Sequence, residues 1–130
     1  MSPTKGRHFI SAMAKKTPTI QDKIFTLWDN ENDQVIMQLD LTNLKDWPYW
    51  INWLERPTTK SFRYVGKDGT ACTVVKEIRP SFGRMDKPLA LWYAHRRLGR
   101  LRKKYLGKAE DLTYQKLKHV AFELSQRELI

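Results

Sequence analysis

The pattern of apolar and polar positions changes period three times along this chain, and each change marks a change of element. Ile24-Phe25-Thr26-Leu27-Trp28 and Val35-Ile36-Met37-Gln38-Leu39 are short β-type runs around the polar stretch from Asp29 to Asp33, which predicts a hairpin. From Asp46 the period becomes helical. Trp50, Trp53 and Leu54 fall at i, i+3 and i+4, and Pro48 suits the first turn of a helix. Spacing of this kind, in an acidic stretch, assigns the tryptophans to a core rather than to a ligand.

A β pattern returns at Ser61-Phe62-Arg63-Tyr64-Val65 and continues, after the turn Gly66-Lys67-Asp68-Gly69, from Thr70 to Arg79. Pro80 to Pro88 reads as a loop. Leu91 to Arg97 and Leu101 to Leu106 read as two further strands around a tight turn at Gly99. The last element is helical. Thr113 is a good N-cap, Leu112 and Leu117 occupy the staple positions on either side of it, and Leu117, Val120, Ala121 and Leu124 make one apolar stripe. A stripe needs a partner surface, and the preceding sheet supplies one. The expected fold is α+β: an antiparallel three- to four-stranded β-sheet with a C-terminal helix packed on one face, preceded by a short hairpin and helix. Residues 1–19 read as a flexible basic arm, 20–57 as the hairpin plus Trp-rich helix, and 58–130 as the basic sheet with its helix, with 20–130 forming one compact domain.

Charge changes the picture from fold to partner. The chain of 130 residues carries a formal net charge of +10. The excess is local: residues 58–108 hold fourteen basic and three acidic side chains, whereas 20–57 hold three basic and seven acidic ones. Clustering of this kind points to a binding face for a polyanion rather than to solubility alone. No run approaches the ~18 apolar residues of a membrane span, and Met1 to Ile20 lack the apolar core of a signal peptide. A cytoplasmic protein without a membrane partner is expected. Cys72 is the only cysteine, which excludes an intrachain disulfide and a multi-cysteine metal cage, and it is expected to pack in a strand.

The last hairpin can be assigned position by position. With Gly99-Arg100 as a two-residue turn, Arg97 pairs with Arg102, Arg96 with Lys103, His95 with Lys104, Ala94 with Tyr105 and Tyr93 with Leu106. One face then holds Trp92, Ala94, Arg96, Leu98, Leu101, Lys103 and Tyr105 and is expected to receive the helix. The other holds Tyr93, His95, Arg97, Arg102, Lys104 and Leu106. Like charges directly opposite one another destabilise a sheet, so Arg97 against Arg102 and His95 against Lys104 call for a polyanion across them. The expected nucleic-acid-binding residues are Tyr93, His95, Arg97, Arg100, Arg102, Lys104 and Lys108. Arginine forks suit phosphates or guanine edges, and a two-stranded ribbon fits the DNA major groove. Tyr93 alone is a clear aromatic on this face, which favours duplex DNA over RNA or single strands.

Catalytic patterns are lacking in the sequence. His95 is followed three places later by Leu98, so the His-x-x-Arg of a recombinase catalytic domain fails. Asp68, Glu77 and Asp86 do not make a nuclease metal set, and Glu77 reads as offsetting a neighbouring cation. His8, His95, His119 and Cys72 are too scattered for zinc, and no phosphate-cradling glycine motif occurs. A non-enzymatic protein without a cofactor is expected.

Trp92-Tyr93-Ala94-His95-Arg96-Arg97, Gly99-Arg100-Leu101-Arg102-Lys103-Lys104-Tyr105-Leu106-Gly107-Lys108 and Asp111-Leu112-Thr113 together resemble a segment at the front of large LuxR-type ATP-dependent bacterial transcription regulators. Trp50-Ile51-Asn52-Trp53-Leu54-Glu55 and Ser61-Phe62 fit the same module, so the resemblance spans residues 47–124. The order of sheet and helix is more distantly similar to the arm-type DNA-binding domains of tyrosine recombinases and to the plant ethylene-response-type domain, whose three-stranded sheet reads the major groove. These 130 residues do not include the ATPase and helix-turn-helix domains of the large regulators. These resemblances imply DNA binding by a small regulator or a mobile-element accessory factor. RNA or ribonucleoprotein binding, and docking of an acidic protein partner, are the alternatives.

Overall fold

A computed structural model of the chain describes residues 16–81 and 84–126. The elements are β1 (Thr19–Gln21), β2 (Ile24–Asp29), β3 (Gln34–Asp40), α1 (Trp47–Leu54), β4 (Ser61–Val65), β5 (Ala71–Ser81), β6 (Arg84–Leu98), β7 (Arg100–Gly107), a 3₁₀ turn (Ala109–Asp111) and α2 (Tyr114–Ser125). The strands form one seven-stranded sheet in the order β3-β2-β1-β4-β5-β6-β7. Every neighbouring pair is antiparallel except β1 with β4, which is parallel. The fold is therefore α+β with a mixed sheet, larger than the three to four antiparallel strands expected.

The difference comes from β1, at the end of the stretch expected to be an arm. Its three residues are too few to show a period, yet they join the front hairpin to the basic sheet: Ile20 lies between Phe25 of β2 and Tyr64 of β4. Asp22 turns the chain from β1 into β2 with φ of 60° and donates its N–H to the Val65 carbonyl at 2.7 Å. Asp tolerates this left-handed geometry better than most side chains do. Before β1, Lys16 is tied to the front hairpin, its Nζ 2.6 Å from Asp33 Oδ1 and its N–H donating to Asn30 Oδ1, and residues 1–15 of the expected arm lie outside the described residues.

Pro80 to Pro88, expected to be a loop, lies largely within β5 and β6 instead. The two strands pair from Thr73↔His95 out to Ser81↔Arg84, with an irregularity between Arg79 and Ser81. Pro80 has no N–H for the ladder, and the irregularity falls at its position, so the pairing resumes beyond it. β4 pairs only with the first residues of β5, and β7 ends opposite Trp92. The far part of the β5–β6 hairpin thus runs on as a two-stranded ribbon.

Both helices lie on one face of the sheet. Trp50, Trp53 and Leu54 of α1 and Leu117, Val120, Ala121 and Leu124 of α2 share one core with Ile20, Phe25, Phe62, Tyr64, Val74, Trp92, Ala94 and Leu106. Trp50 stacks on Trp53 with ring centroids 5.8 Å apart and meets Phe25 and Phe62 edge-on. Its indole N–H donates to the Leu112 carbonyl at 2.9 Å, which ties α1 to the segment leading into α2. A buried indole without that acceptor would leave a donor unpaired. Thr113 caps α2 as expected, its Oγ1 accepting from the Lys116 N–H at 3.1 Å, with Leu112 and Leu117 both buried.

No helix among the described residues is long and apolar enough to cross a membrane.

Candidate nucleic-acid interface

The register of β6 against β7 decides which cations share a face. Leu98 pairs with Arg100, Arg97 with Leu101, Arg96 with Arg102, His95 with Lys103, Ala94 with Lys104 and Tyr93 with Tyr105. Gly99 alone forms the turn, with φ of 86°, in place of the two-residue turn Gly99-Arg100. The register slips by one, and every β7 side chain up to Tyr105 moves to the other face. A bulge then pairs Trp92 with Gly107 and leaves Leu106 as the extra residue, turned into the core and 1 % exposed.

Arg102 and Lys104 are accordingly not on the face of Tyr93 and Arg97. Both lie on the side covered by α2, for a packing reason. The Arg102 guanidinium donates to the carbonyls of Leu124 and Gln126, satisfying acceptors that a helix C-terminus leaves open. Lys104 Nζ stands 2.8 Å from Glu123 Oε1 and holds that carboxyl below the usual carboxylate range. The opposition of Arg97 with Arg102 and of His95 with Lys104 does not occur. Arg96 faces Arg102 instead, and the two diverge onto backbone acceptors, Arg96 donating to the Ala71 carbonyl.

The helix-free face of β4–β7 brings together a different set. Alternation from the pairings places Arg63 on β4, Thr73, Val75, Glu77 and Arg79 on β5, Tyr93, His95 and Arg97 on β6, and Leu101, Lys103 and Tyr105 on β7. Of the expected site residues, Tyr93, His95 and Arg97 are here. Arg100 is exposed at the Gly99 turn, and Lys108 is exposed where the chain leaves β7 for the 3₁₀ turn.

The centre of this face is the Tyr93 ring. Lys103 Nζ lies 4.4 Å from its centroid and the Arg79 guanidinium 5.7 Å, while the Tyr105 ring is 5.3 Å away at an angle of 55°. Cations over an aromatic face are held by its quadrupole. Glu77 joins them: its carboxylate is 2.8 Å from Arg79 Nη2 and 2.7 Å from Lys103 Nζ. Hydrogen bonds from these two hold the Glu77 carboxyl below its ordinary range, and the same contact raises the arginine further. Glu77 does offset neighbouring cations, as its sequence context suggested. His95 Nε2 is enclosed and has no hydrogen-bond partner among the described residues.

Lys103, Tyr105, Arg79 and Arg63 were not singled out from the sequence. The first two were assigned to the wrong face by the slipped register. Arg79 and Arg63 needed the pairing of β4, β5 and β6, although their spacing from Glu77 and Val65 is the period-two signal that would have found them once that pairing was fixed.

Among the described residues, no three His, Cys, Asp or Glu side chains gather as a metal cage. Cys72 is buried, and burial pushes its thiol up to about 11, away from thiolate chemistry. Compared with protein-family models, with curated proteins and with solved structures, the chain matches none.

Proposed function

We propose that this protein binds nucleic acid by laying a phosphate backbone across the helix-free face of β4–β7. The observation that carries the reading is that Arg79 and Lys103 meet at the Tyr93–Tyr105 pair and share with Arg63 and Arg97 a face that neither helix covers. Cations at strand spacing suit successive phosphates, and a ribbon such as β5–β6 has the width of a major-groove reader. The protein acts as a binder rather than a catalyst. Duplex DNA is the first target, and the resemblance of residues 47–124 to the front module of LuxR-type regulators supports a role in transcription regulation.

A second reading, binding of RNA or a single strand, gains from Tyr105. It joins Tyr93 on the basic face and is 52 % exposed, so the face offers two rings where one was expected. Fluorescence anisotropy with duplex DNA, single-stranded DNA and a structured RNA of equal length tests both readings. Four phosphate contacts predict a slope of log K against log salt of about −3.6 on a duplex. Salt-insensitive binding, or no binding to any of the three, would reject the function and leave docking of an acidic protein as the use of this face.

A further inference from the structure

Glu77 is the feature of this face that binding alone does not explain. It is the one carboxylate among the described side chains that strands β4–β7 present on this face, and it lies beside the Tyr93 ring, between the two cations that meet there. Arg79 reaches it along β5 and Lys103 reaches it from β7, across β6 and past the Tyr93 ring. Two cations from different strands therefore converge on one pair of anionic oxygens. An Arg fork and a Lys point charge are also the donors that bind a phosphodiester. We propose that Arg79 and Lys103 form a phosphate subsite and that Glu77 occupies it in the free protein. The inference rests on the nucleic-acid reading and names one contact within it.

The geometry favours exchange. The Glu77 side chain is 27 % exposed and its partners 54 % and 43 %, so the carboxylate has a path to solvent and ligand has a path to the cations. Ion pairs at this exposure are weak and are readily traded for another anion. While the subsite is empty, Glu77 keeps two like charges together over Tyr93 that would otherwise repel. When a phosphate arrives, it takes both donors and the carboxylate swings out. Glu77 thus lowers affinity for any polyanion and confines tight binding to ligands whose phosphate reaches this position.

Glu77→Gln removes one negative charge from the subsite. Releasing one further counterion adds about 0.9 to the salt slope, which is about eightfold in affinity at 0.1 M salt. Anisotropy is measured with the oligonucleotide that the wild-type protein binds best, using wild type, E77Q, E77A, the double mutant R79A/K103A, and that double mutant carrying E77Q. Circular dichroism establishes that each is folded. E77Q and E77A are expected to bind about eightfold more tightly with a steeper salt slope. E77Q is expected to add nothing once Arg79 and Lys103 are gone. Glu110→Gln, an exposed acid on the 3₁₀ turn, serves as the control for net charge and is expected to leave affinity unchanged. Wild-type binding with no gain in E77Q and E77A overturns the subsite and leaves the binding function standing. An equal gain in E110Q overturns it too, because the effect is then net charge. If no variant binds any nucleic acid, the functional reading fails and the subsite with it.

Discussion

Replacing Arg102 with alanine separates the two possible registers of the last hairpin, because each assigns this arginine a different task. In the structure its guanidinium donates to the Leu124 and Gln126 carbonyls at the end of α2. Hydrogen bonds from a charged donor are worth about 1.5–3 kcal/mol, and a cation at a helix C-terminus adds up to about 1 kcal/mol when exposed. The side chain is half-buried, and its loss leaves the two carbonyls to water, which recovers part of the cost. A loss of about 2 kcal/mol is expected. With a urea m-value of about 2 kcal/mol/M, the midpoint followed by tryptophan fluorescence falls by about 1 M. Nucleic-acid affinity of the folded R102A protein is expected to stay within about twofold of wild type, since removing one distant charge acts only through a screened field. Arg97→Ala is the counterpart. Arg97 is exposed on the helix-free face opposite Leu101, so its loss is expected to leave the midpoint unchanged and to make the salt slope shallower by about one unit. If R102A instead keeps its midpoint and loses affinity, Arg102 points to the ligand and β7 lies in the other register.

Tyr105→Ala is expected to weaken single-stranded binding by about tenfold, within the 1–3 kcal/mol range of base–aromatic stacking, and to change duplex binding much less; an equal loss on both, measured by anisotropy, rejects stacking. Trp50→Phe keeps a ring beside Phe25 and Phe62 but strands the Leu112 carbonyl, so a stability loss of about 1–2 kcal/mol is expected in urea titration, and a loss near zero would show that the indole hydrogen bond adds nothing. The Glu123 carboxyl is held below its ordinary value of 4.5, chiefly by Lys104, so the stability this pair confers is complete above that pH and is lost as pH falls through the lower, folded value. In Lys104→Met, thermal unfolding followed between pH 6 and pH 3 is expected to lose that part of its acid sensitivity; an unchanged pH profile rejects the pair as its source.

The elements legible in the chain's own pattern are those whose signals are local. The helix at Trp47–Leu54 follows from Pro48 and the spacing of Trp50, Trp53 and Leu54, and α2 follows from Thr113 and its apolar stripe. Caps, turns and apolar spacing act over a few residues, so they are visible without knowing what lies across the fold. The front hairpin was legible for the same reason. Tertiary structure decided the pairing. A strand presents the same alternation in either of two registers, and a glycine turn at residue 99 permits both, so the choice fell to distant partners: the open carbonyls ending α2, which take Arg102, and the core, which takes Leu106 through a bulge. That choice moved Arg102 and Lys104 to the helix side of the sheet and brought Lys103 and Tyr105 onto the uncovered face beside Tyr93. β1 is the same case in smaller form. Three residues carry too little pattern to declare a strand, and only the open edges of β2 and β4 on either side make them one.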